Sequence, residues 1–404
     1  MKKILLGLIS RIILGFFYTA VALLSAITQR RGRKYNKSIK TIAVVGTFHN
    51  PNWFHAHITP LTMASERVVL ICDEPVTELP GLVYACPPAL LSKLCSRALA
   101  KFIWGIWVGF KYKPDLYMGY HIFPAALTAL ALARIFNRPA CYQCTAGPLE
   151  LEGGGWAAEN RILVALGGAS PWVERRVNAA VREFDLVVVR GSGAQNYVRG
   201  IGYKGDLEII TGSVDVPEHS VGYQKREADL IFVGRLTEYK RPDRLFDVIG
   251  LVAKRIPNLA VHIVGDGPDQ QTLVQQAERL GITDNIRFLG QRSDVQQLLG
   301  SARVFMLTSR WEGLSIAMME AMVAGAVPVV ADVGDLKDFV KSGDNGYVVE
   351  PDDIATYAAH VESILGSAEG WSEMSDKARE LATLRSSREA IATRWRGAFD
   401  ALKS

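Results

Sequence analysis

Residues 304–322 read VFMLTSRWEGLSIAMMEAM, and the change of rhythm inside this stretch decides the fold. Residues 304–307 are a short apolar run of strand length. A polar turn containing Gly313 interrupts it, and from Leu314 apolar residues return at helical spacing. A buried strand, a turn and a helix make the half-unit of a parallel sheet. The turn carries Glu312, and Glu320 follows about two turns along the helix. Eight residues at 100° each return to within roughly 80° of the start, so both carboxylates fall on one side of the element. Two acids placed so can each take a different part of one ligand. The backbone N–H groups of Gly313, Leu314 and Ser315 are then available to an anion, helped by the helix dipole.

Working outward, the same rhythm fills the chain. Strands are expected at 230–234, 260–265, 286–289, 304–307, 327–331 and 347–349, with helices beginning near Arg241, Asp269, Ser293, Leu314 and Asp352. The first half reads alike, with strands at 41–47, 68–72, 82–86, 116–119, 140–145, 186–190 and 207–211. Alternating β and α stretches specify an α/β chain of two tandem Rossmann-like sheets, and 404 residues suit two cores rather than one. The expected parts are a membrane anchor and basic segment (1–40), an N-terminal domain (41–215), a linker (216–227), a C-terminal domain (228–366) and a helical tail (367–404). That tail carries an apolar stripe of Ile391, Trp395, Phe399 and Leu402 and is expected to pack on the body.

A second cluster follows the strand at 230–234, where Gly234, Arg235 and Leu236 lead to Lys240. A diphosphate leaving group needs its growing negative charge neutralised, by a metal on an Asp-x-Asp pair or by fixed cations. The chain contains no Asp-x-Asp, so the cations are expected to serve, with no metal and no cofactor. Val264, Gly265, Asp266, Gly267 and Pro268 form only part of a dinucleotide fingerprint, which argues against an NAD enzyme.

In these residues the chain resembles the GT-B-fold retaining glycosyltransferases of family 4, marked by a Glu-x7-Glu motif and an upstream Gly-Arg-Leu followed by Lys. The resemblance covers residues 228–366 well and 110–215 loosely. It takes in the 263–268 loop, Phe288 to Gly290, Ala324 to Pro328 and Asn345 to Pro351. It implies two Rossmann-like domains facing a cleft. Glu312 would contact the donor sugar, Glu320 the ribose, and Gln291 and Arg292 the base. Arg235, Lys240 and the amides of Gly313, Leu314 and Ser315 would hold the diphosphate, and His121 would sit near the sugar. It implies same-face displacement in which the leaving diphosphate helps deprotonate the acceptor. Two readings in other classes remain: a non-catalytic donor-binding subunit of a membrane glycan-assembly complex, or a sugar-nucleotide epimerase on the same fold.

The acceptor side departs from the family. Its usual Gly-Gly loop is replaced by Gly46 to His57, where His55 and His57 either position a phosphorylated acceptor or are plain loop residues. Phe102, Trp104, Trp107 and Phe110, among Lys93, Arg97, Lys101, Lys111 and Lys113, suit either a membrane interface or a core helix. Glu150, Glu152 and Gly153 to Gly155 read as a flexible lip. Arg175, Arg176 and Arg182 read as a phosphate-facing or a solvated set.

Residues 4–27 are apolar apart from Ser10, Arg11, Tyr18, Thr19 and Ser25. As a helix they would cover roughly 36 Å against a hydrocarbon core of about 30 Å. The basic run Arg30, Arg31, Arg33, Lys34, Lys37 and Lys40 would place the rest of the chain in the cytoplasm at the inner membrane. A helix lying in one leaflet and a signal peptide are the rival readings. The net charge of +5 owes much to this local run, which argues against a nucleic-acid partner. Five cysteines, Cys72, Cys86, Cys95, Cys141 and Cys144, lie among apolar residues and read as buried thiols. The expected partners are a nucleotide-sugar donor, a lipid-linked or other glycan acceptor, and the membrane.

Overall fold

The computed structural model describes residues 38–156, 161–218 and 222–402, with scattered positions between 7 and 23. The chain divides into two compact units, Met1–Ser213 with Arg388–Ser404, and Val214–Ser387.

In the first unit, β1 (Thr41–Val45), β2 (Arg67–Ile71), β3 (Leu82–Tyr84), β4 (Leu116–Tyr120), β5 (Ala140–Gln143), β6 (Leu186–Val189) and β7 (Asp206–Ile209) form a parallel sheet. Its order is β3-β2-β1-β4-β5-β6-β7. Side chains alternate faces along a strand, so β1 feeds two cores. Ile42 and Val44 pack with Phe54, Ile58 and Leu61 of the helix Pro51–Ala64. Ala43 and Val45 pack with Leu127 and Leu130 of the helix Leu127–Phe136. Burial on both faces explains why these strands read as continuous apolar runs rather than alternating ones. The last helix, Arg388–Ala401, adds Ile391, Trp395 and Phe399 to the core that holds Phe54.

The second unit repeats the plan with β8 (Ala228–Val233), β9 (Val261–Val264), β10 (Ile286–Gly290), β11 (Ala302–Leu307), β12 (Val327–Ala331) and β13 (Tyr347–Val349), ordered β10-β9-β8-β11-β12-β13. Both sheets follow the doubly wound 3-2-1-4-5-6 order, the first with a seventh strand beyond it, and both are the parallel sheets that the rhythm predicts. The helices begin at Pro242, Gln270, Val295, Ile316 and Ile354, one or two residues later than read from the apolar pattern. Caps set some of these starts: Ser315 Oγ accepts from the Met318 N–H at 3.2 Å, and Asp353 Oδ1 from the Thr356 N–H at 3.1 Å.

No helix among the described residues is long and apolar enough to cross a membrane. The expected anchor at 1–40 lies largely outside the described residues. Of its described positions, Leu14 and Tyr18 are buried in the first unit's core, while Leu8, Ile12 and Leu23 are exposed.

Two loops at the carboxyl edge of the second sheet meet backbone to backbone. Gly265, at φ +123°, has no room for a Cβ, which would lie 1.9 Å from the Gly234 carbonyl oxygen. Gly265→Ala is therefore expected to cost more than about 2 kcal/mol of stability. Gly300→Ala, where nothing lies within 4 Å, should leave stability unchanged or slightly raised. Equal urea midpoints for the two variants would overturn this close approach.

Candidate functional site

In the second sheet β8 lies between β9 and β11, so the chain winds away from it in both directions. The loops after β8 and β11 part at this point, and a crevice outside the strand ends is where such sheets take ligands. The two loops carry the two clusters singled out in the sequence. Lys240 Nζ donates to Glu312 Oε1 at 2.6 Å, and Ser309 Oγ donates to the same oxygen at 2.6 Å. The side chains are 18% and 9% exposed. Two further bonds stitch the loops: the Arg310 N–H to the Tyr239 carbonyl at 2.8 Å, and Thr308 Oγ1 to the Arg241 carbonyl at 2.8 Å. Arg241 adopts a left-handed conformation at φ +49°, turning the chain sharply into the helix that starts at Pro242.

Glu312 is held from behind by a residue that sequence reading missed. Gly334, at φ +56°, approaches so closely that a Cβ would lie 2.1 Å from the Glu312 carbonyl oxygen, and the next N–H, of Asp335, donates to the Gly313 carbonyl at 2.9 Å. The amides of Gly313, Leu314 and Ser315 donate to no protein acceptor among the described residues. They precede the helix Ile316–Val323, an arrangement that favours an anion. Glu312 precedes that helix too, so the helical angle drawn from its spacing to Glu320 does not apply across the turn. Glu320 is half-buried in the second turn. Burial, with the Asp215 charge second, pushes its carboxyl up to about 7.

The other expected donor contacts are more open. Arg235 is exposed and donates to the Tyr239 hydroxyl. Gln291 and Arg292 follow the edge strand β10, both exposed, with Arg292 holding Asp294 through bonds of 2.8 and 2.6 Å.

The first sheet reverses between β1 and β4, and His121 directly follows β4 at φ +61°. Its ring stacks on Trp53, 5.9 Å between centroids and 8° from parallel. His121 Nδ1 lies 3.0 Å from Glu150 Oε1. Glu150 also accepts from the N–H groups of Ile122, Thr145 and Ala146 and from the hydroxyls of Tyr142 and Thr145, at 2.7 to 3.2 Å. Burial raises the Glu150 carboxyl, yet the His121 charge and these bonds outweigh it and hold it below the usual range. The flexible lip read at Glu150, Glu152 and Gly153 to Gly155 is thus corrected in part: Glu152 is exposed, but the three glycines and Glu150 are buried, Glu150 because its carboxylate closes these N–H and O–H groups.

The reading of Gly46 to His57 as one loop is also corrected. Asn50 caps a helix beginning at Pro51, so His55 and His57 are helical and point to different surroundings. His57 is 3% exposed, its ring 4.6 Å from Trp53, and burial followed by the charges of Arg190 and His121 drives its pKa well down. His55 is half-buried, with Nδ1 3.3 Å from Thr59 Oγ1. Lys101, grouped in the sequence with the bases of a stretch that suited either a membrane interface or a core helix, turns inward. Its ammonium donates to the Gly46 carbonyl, Thr47 Oγ1 and Asp73 Oδ2 at 3.3, 2.7 and 2.8 Å, fixing the segment after β1. Arg176 lies over the Trp172 ring, and Arg182 donates to the Ile201 carbonyl. Cys72, Cys141 and Cys144 are buried, and Cys86 and Cys95 partly so.

The Glu320 carboxyl keeps its proton to about pH 7 when folded and to about 4.5 when unfolded. Between these values the folded state binds the extra proton, so this group's contribution to stability falls as pH rises through the window. Glu320→Gln should therefore gain in urea midpoint relative to the parent from about pH 4.5 to 7 and hold a constant lead above. A pH-independent difference would overturn the assignment.

Residues 218–381 match the family described as Glycosyl transferases group 1. An uncharacterized glycosyltransferase of Haemophilus influenzae is 32% identical over 152 residues, 37% of this chain and 43% of the relative. A lipopolysaccharide core biosynthesis glycosyltransferase of Rhizobium meliloti is 26% identical over 217 residues, 52% of this chain and 62% of the relative. In both cases the match spans less than two thirds of the relative's length. Anabaena HepE, solved in complex with UDP and glucose, superposes with a TM-score of 0.72 over 90% of this chain and 100% of that one at 17% identity, a likeness of fold. The second unit thus carries a Glycosyl transferases group 1 domain, and the chain has the two-domain, parallel-sheet α/β fold of the GT-B type.

Proposed function

We propose that the protein is a retaining, metal-independent hexosyltransferase of family 4. It moves a sugar from a nucleotide diphosphate to a lipid-linked or other glycan at the cytoplasmic face of a membrane, in polysaccharide or glycolipid synthesis. The observation that carries this reading is the Lys240–Glu312 pair at the switch point of the second sheet, beside three unengaged amides. Bond breaking at the sugar's anomeric carbon leaves the electron pair on a diphosphate oxygen. Lys240, Arg235 and the amides of Gly313 to Ser315 supply positive charge there. The acceptor oxygen bonds to the same face of that carbon, and its proton passes to the leaving diphosphate.

Glu312, with one oxygen engaged by Lys240 and Ser309, offers its other to sugar hydroxyls. Glu320 takes the ribose, Gln291 and Arg292 the base, and His121 keeps the sugar-facing role that the resemblance gives it. His55, half-buried, is the acceptor-side candidate; His57 is buried against Trp53, so its part on that side would be to fix the Trp53 ring. The relatives' names support a glycan product, since one is a lipopolysaccharide core biosynthesis glycosyltransferase, and the UDP and glucose held by HepE support a nucleotide-sugar donor.

Thermal unfolding of the purified protein with UDP, GDP, ADP and their sugar conjugates tests the donor site. One nucleotide at a hundred times its Kd should stabilise the fold by about 2.7 kcal/mol, with or without EDTA. A shift abolished by EDTA would overturn the metal-independent reading, and no shift with any of them would overturn the donor site. Lys240→Ala should weaken nucleotide diphosphate binding tenfold or more, about the loss of one charge-assisted bond. Glu312→Ala should abolish sugar transfer while the protein still unfolds cooperatively; unchanged transfer would sink the mechanism.

A further inference from the structure

The helix Arg97–Tyr112 is apolar on more than the side it buries. Its buried side is made of small residues, Ala100, Gly105 and Gly109, with Val108 and the inward Lys101. A Cβ at Gly105 would lie 2.4 Å from Leu132 Cδ1, and one at Gly109 would lie 2.2 Å from Phe136 Cε2. The two glycines therefore let this helix sit close against the helix Leu127–Phe136. Phe102, Trp104, Ile106 and Tyr112 flank this seam and pack partly buried against the first unit's core, while the remaining large apolar residues face the other way. Leu99, Ile103, Trp107 and Phe110 recur at helical spacing and are exposed, Phe110 by 70%, and the preceding short helix Ala89–Leu94 exposes Leu90 and Leu94. Ordinary surface helices bury their large apolar residues and expose polar ones. Apolar surface on this scale marks an interaction site.

The charge around it selects the partner. Residues 89–113 contain no acidic residue. Lys93, Arg97, Lys111 and Lys113 are exposed, and none pairs with a carboxylate among the described residues. Lys111 lies over the Trp107 ring at 4.5 Å from its centroid, an aromatic and a base side by side as at a bilayer interface. A second copy of the chain docked face to face would oppose these like charges. An anionic surface that also accepts apolar side chains answers both features.

We propose that this face, Leu90 to Lys113, docks on the headgroup region of an anionic bilayer, with Leu94, Ile103, Trp107 and Phe110 entering the acyl boundary and the four cations meeting lipid phosphates. The inference rests on the membrane-face reading above and names the surface that serves it. It differs from an N-terminal anchor, because it places a lipid-binding surface on the folded first unit.

Hydroxyl-radical footprinting of the full-length protein, freed of detergent, tests it against phosphatidylcholine vesicles with and without phosphatidylglycerol. Leu94, Trp107 and Phe110 should be protected on the anionic vesicles and far less on the zwitterionic ones. Co-sedimentation should fall about fivefold for each basic residue neutralised among Lys93, Lys111 and Lys113, and further in the pair Leu94→Ser with Phe110→Ser. These variants should keep the parent's nucleotide-induced thermal shift. Vesicle binding that leaves Trp107 and Phe110 unprotected would overturn the proposal and assign attachment to another part of the chain. Protection that grows with protein concentration in the absence of vesicles would overturn it in favour of self-association. Protection on anionic vesicles in a protein that binds no nucleotide would support this surface and remove the proposed donor chemistry instead.

Discussion

One ion pair sets the geometry on which the second unit's site depends. Lys240 and Glu312 come from loops that leave adjacent strands in diverging directions, and their 2.6 Å contact fixes how far apart those loops stand. A partly buried pair is worth its desolvation only when the remaining lone pairs and protons are also satisfied. Here the Ser309 hydroxyl shares the carboxylate oxygen, and two backbone-directed bonds carry part of the load of joining the loops. In the proposed reaction the same ammonium meets the diphosphate, so the pair that organises the site also supplies its charge. Gly334 belongs to this arrangement, because its missing Cβ is what lets the neighbouring loop press against the Glu312 carbonyl.

The first unit uses a different device at its own point of strand reversal. His121 sits at a positive φ, uncommon for a residue with a side chain, and the surrounding structure must hold it there. Glu150 does so with its imidazole contact and by accepting from the N–H groups of Ile122 and of Ala146 on the next loop, while Trp53 lies parallel to the ring. Lys101 fixes the neighbouring strand end by a similar logic, a buried charge closing a carbonyl, a hydroxyl and a carboxylate together. That inward turn of Lys101 leaves the rest of its helix's bases outside, beside the exposed aromatic and aliphatic residues.

Much of this was legible in the sequence for local reasons. Parallel strands buried on both faces must be runs of apolar residues, so the central strands, such as β1, β6, β11 and β12, could be located from composition over a few positions. The strand–turn–helix at 304–322 announced itself by a change of period, and its Glu312, like Arg235 and Lys240, stood at a turn where ligand-binding residues gather. Glu150 was misread because glycines beside it resemble a mobile loop, and nothing local to it names His121 or Tyr142 as partners. His55 and His57 were misread because Asn50 and Pro51, the cap and first residue of a helix, lie in a stretch also rich in turn-forming residues.

What the sequence by itself determined is the pair of doubly wound sheets and the residue types at their strand ends, since both follow from short-range periodicity and turn chemistry. Tertiary structure alone decided which of those residues meet: Lys240 with Glu312 across 72 positions, Gly334 behind Glu312, Glu150 beneath His121, and the last helix on the first unit's core. Those contacts depend on where parallel strands are placed in the sheet, a long-range choice that no window of neighbouring residues encodes. The outward face of Arg97–Tyr112 falls on the same side of the line. Its apolar and basic residues are plain in the sequence, but only the close packing at Gly105 and Gly109 determines which of the apolar residues turn inward and which, like Trp107 and Phe110, stay outside.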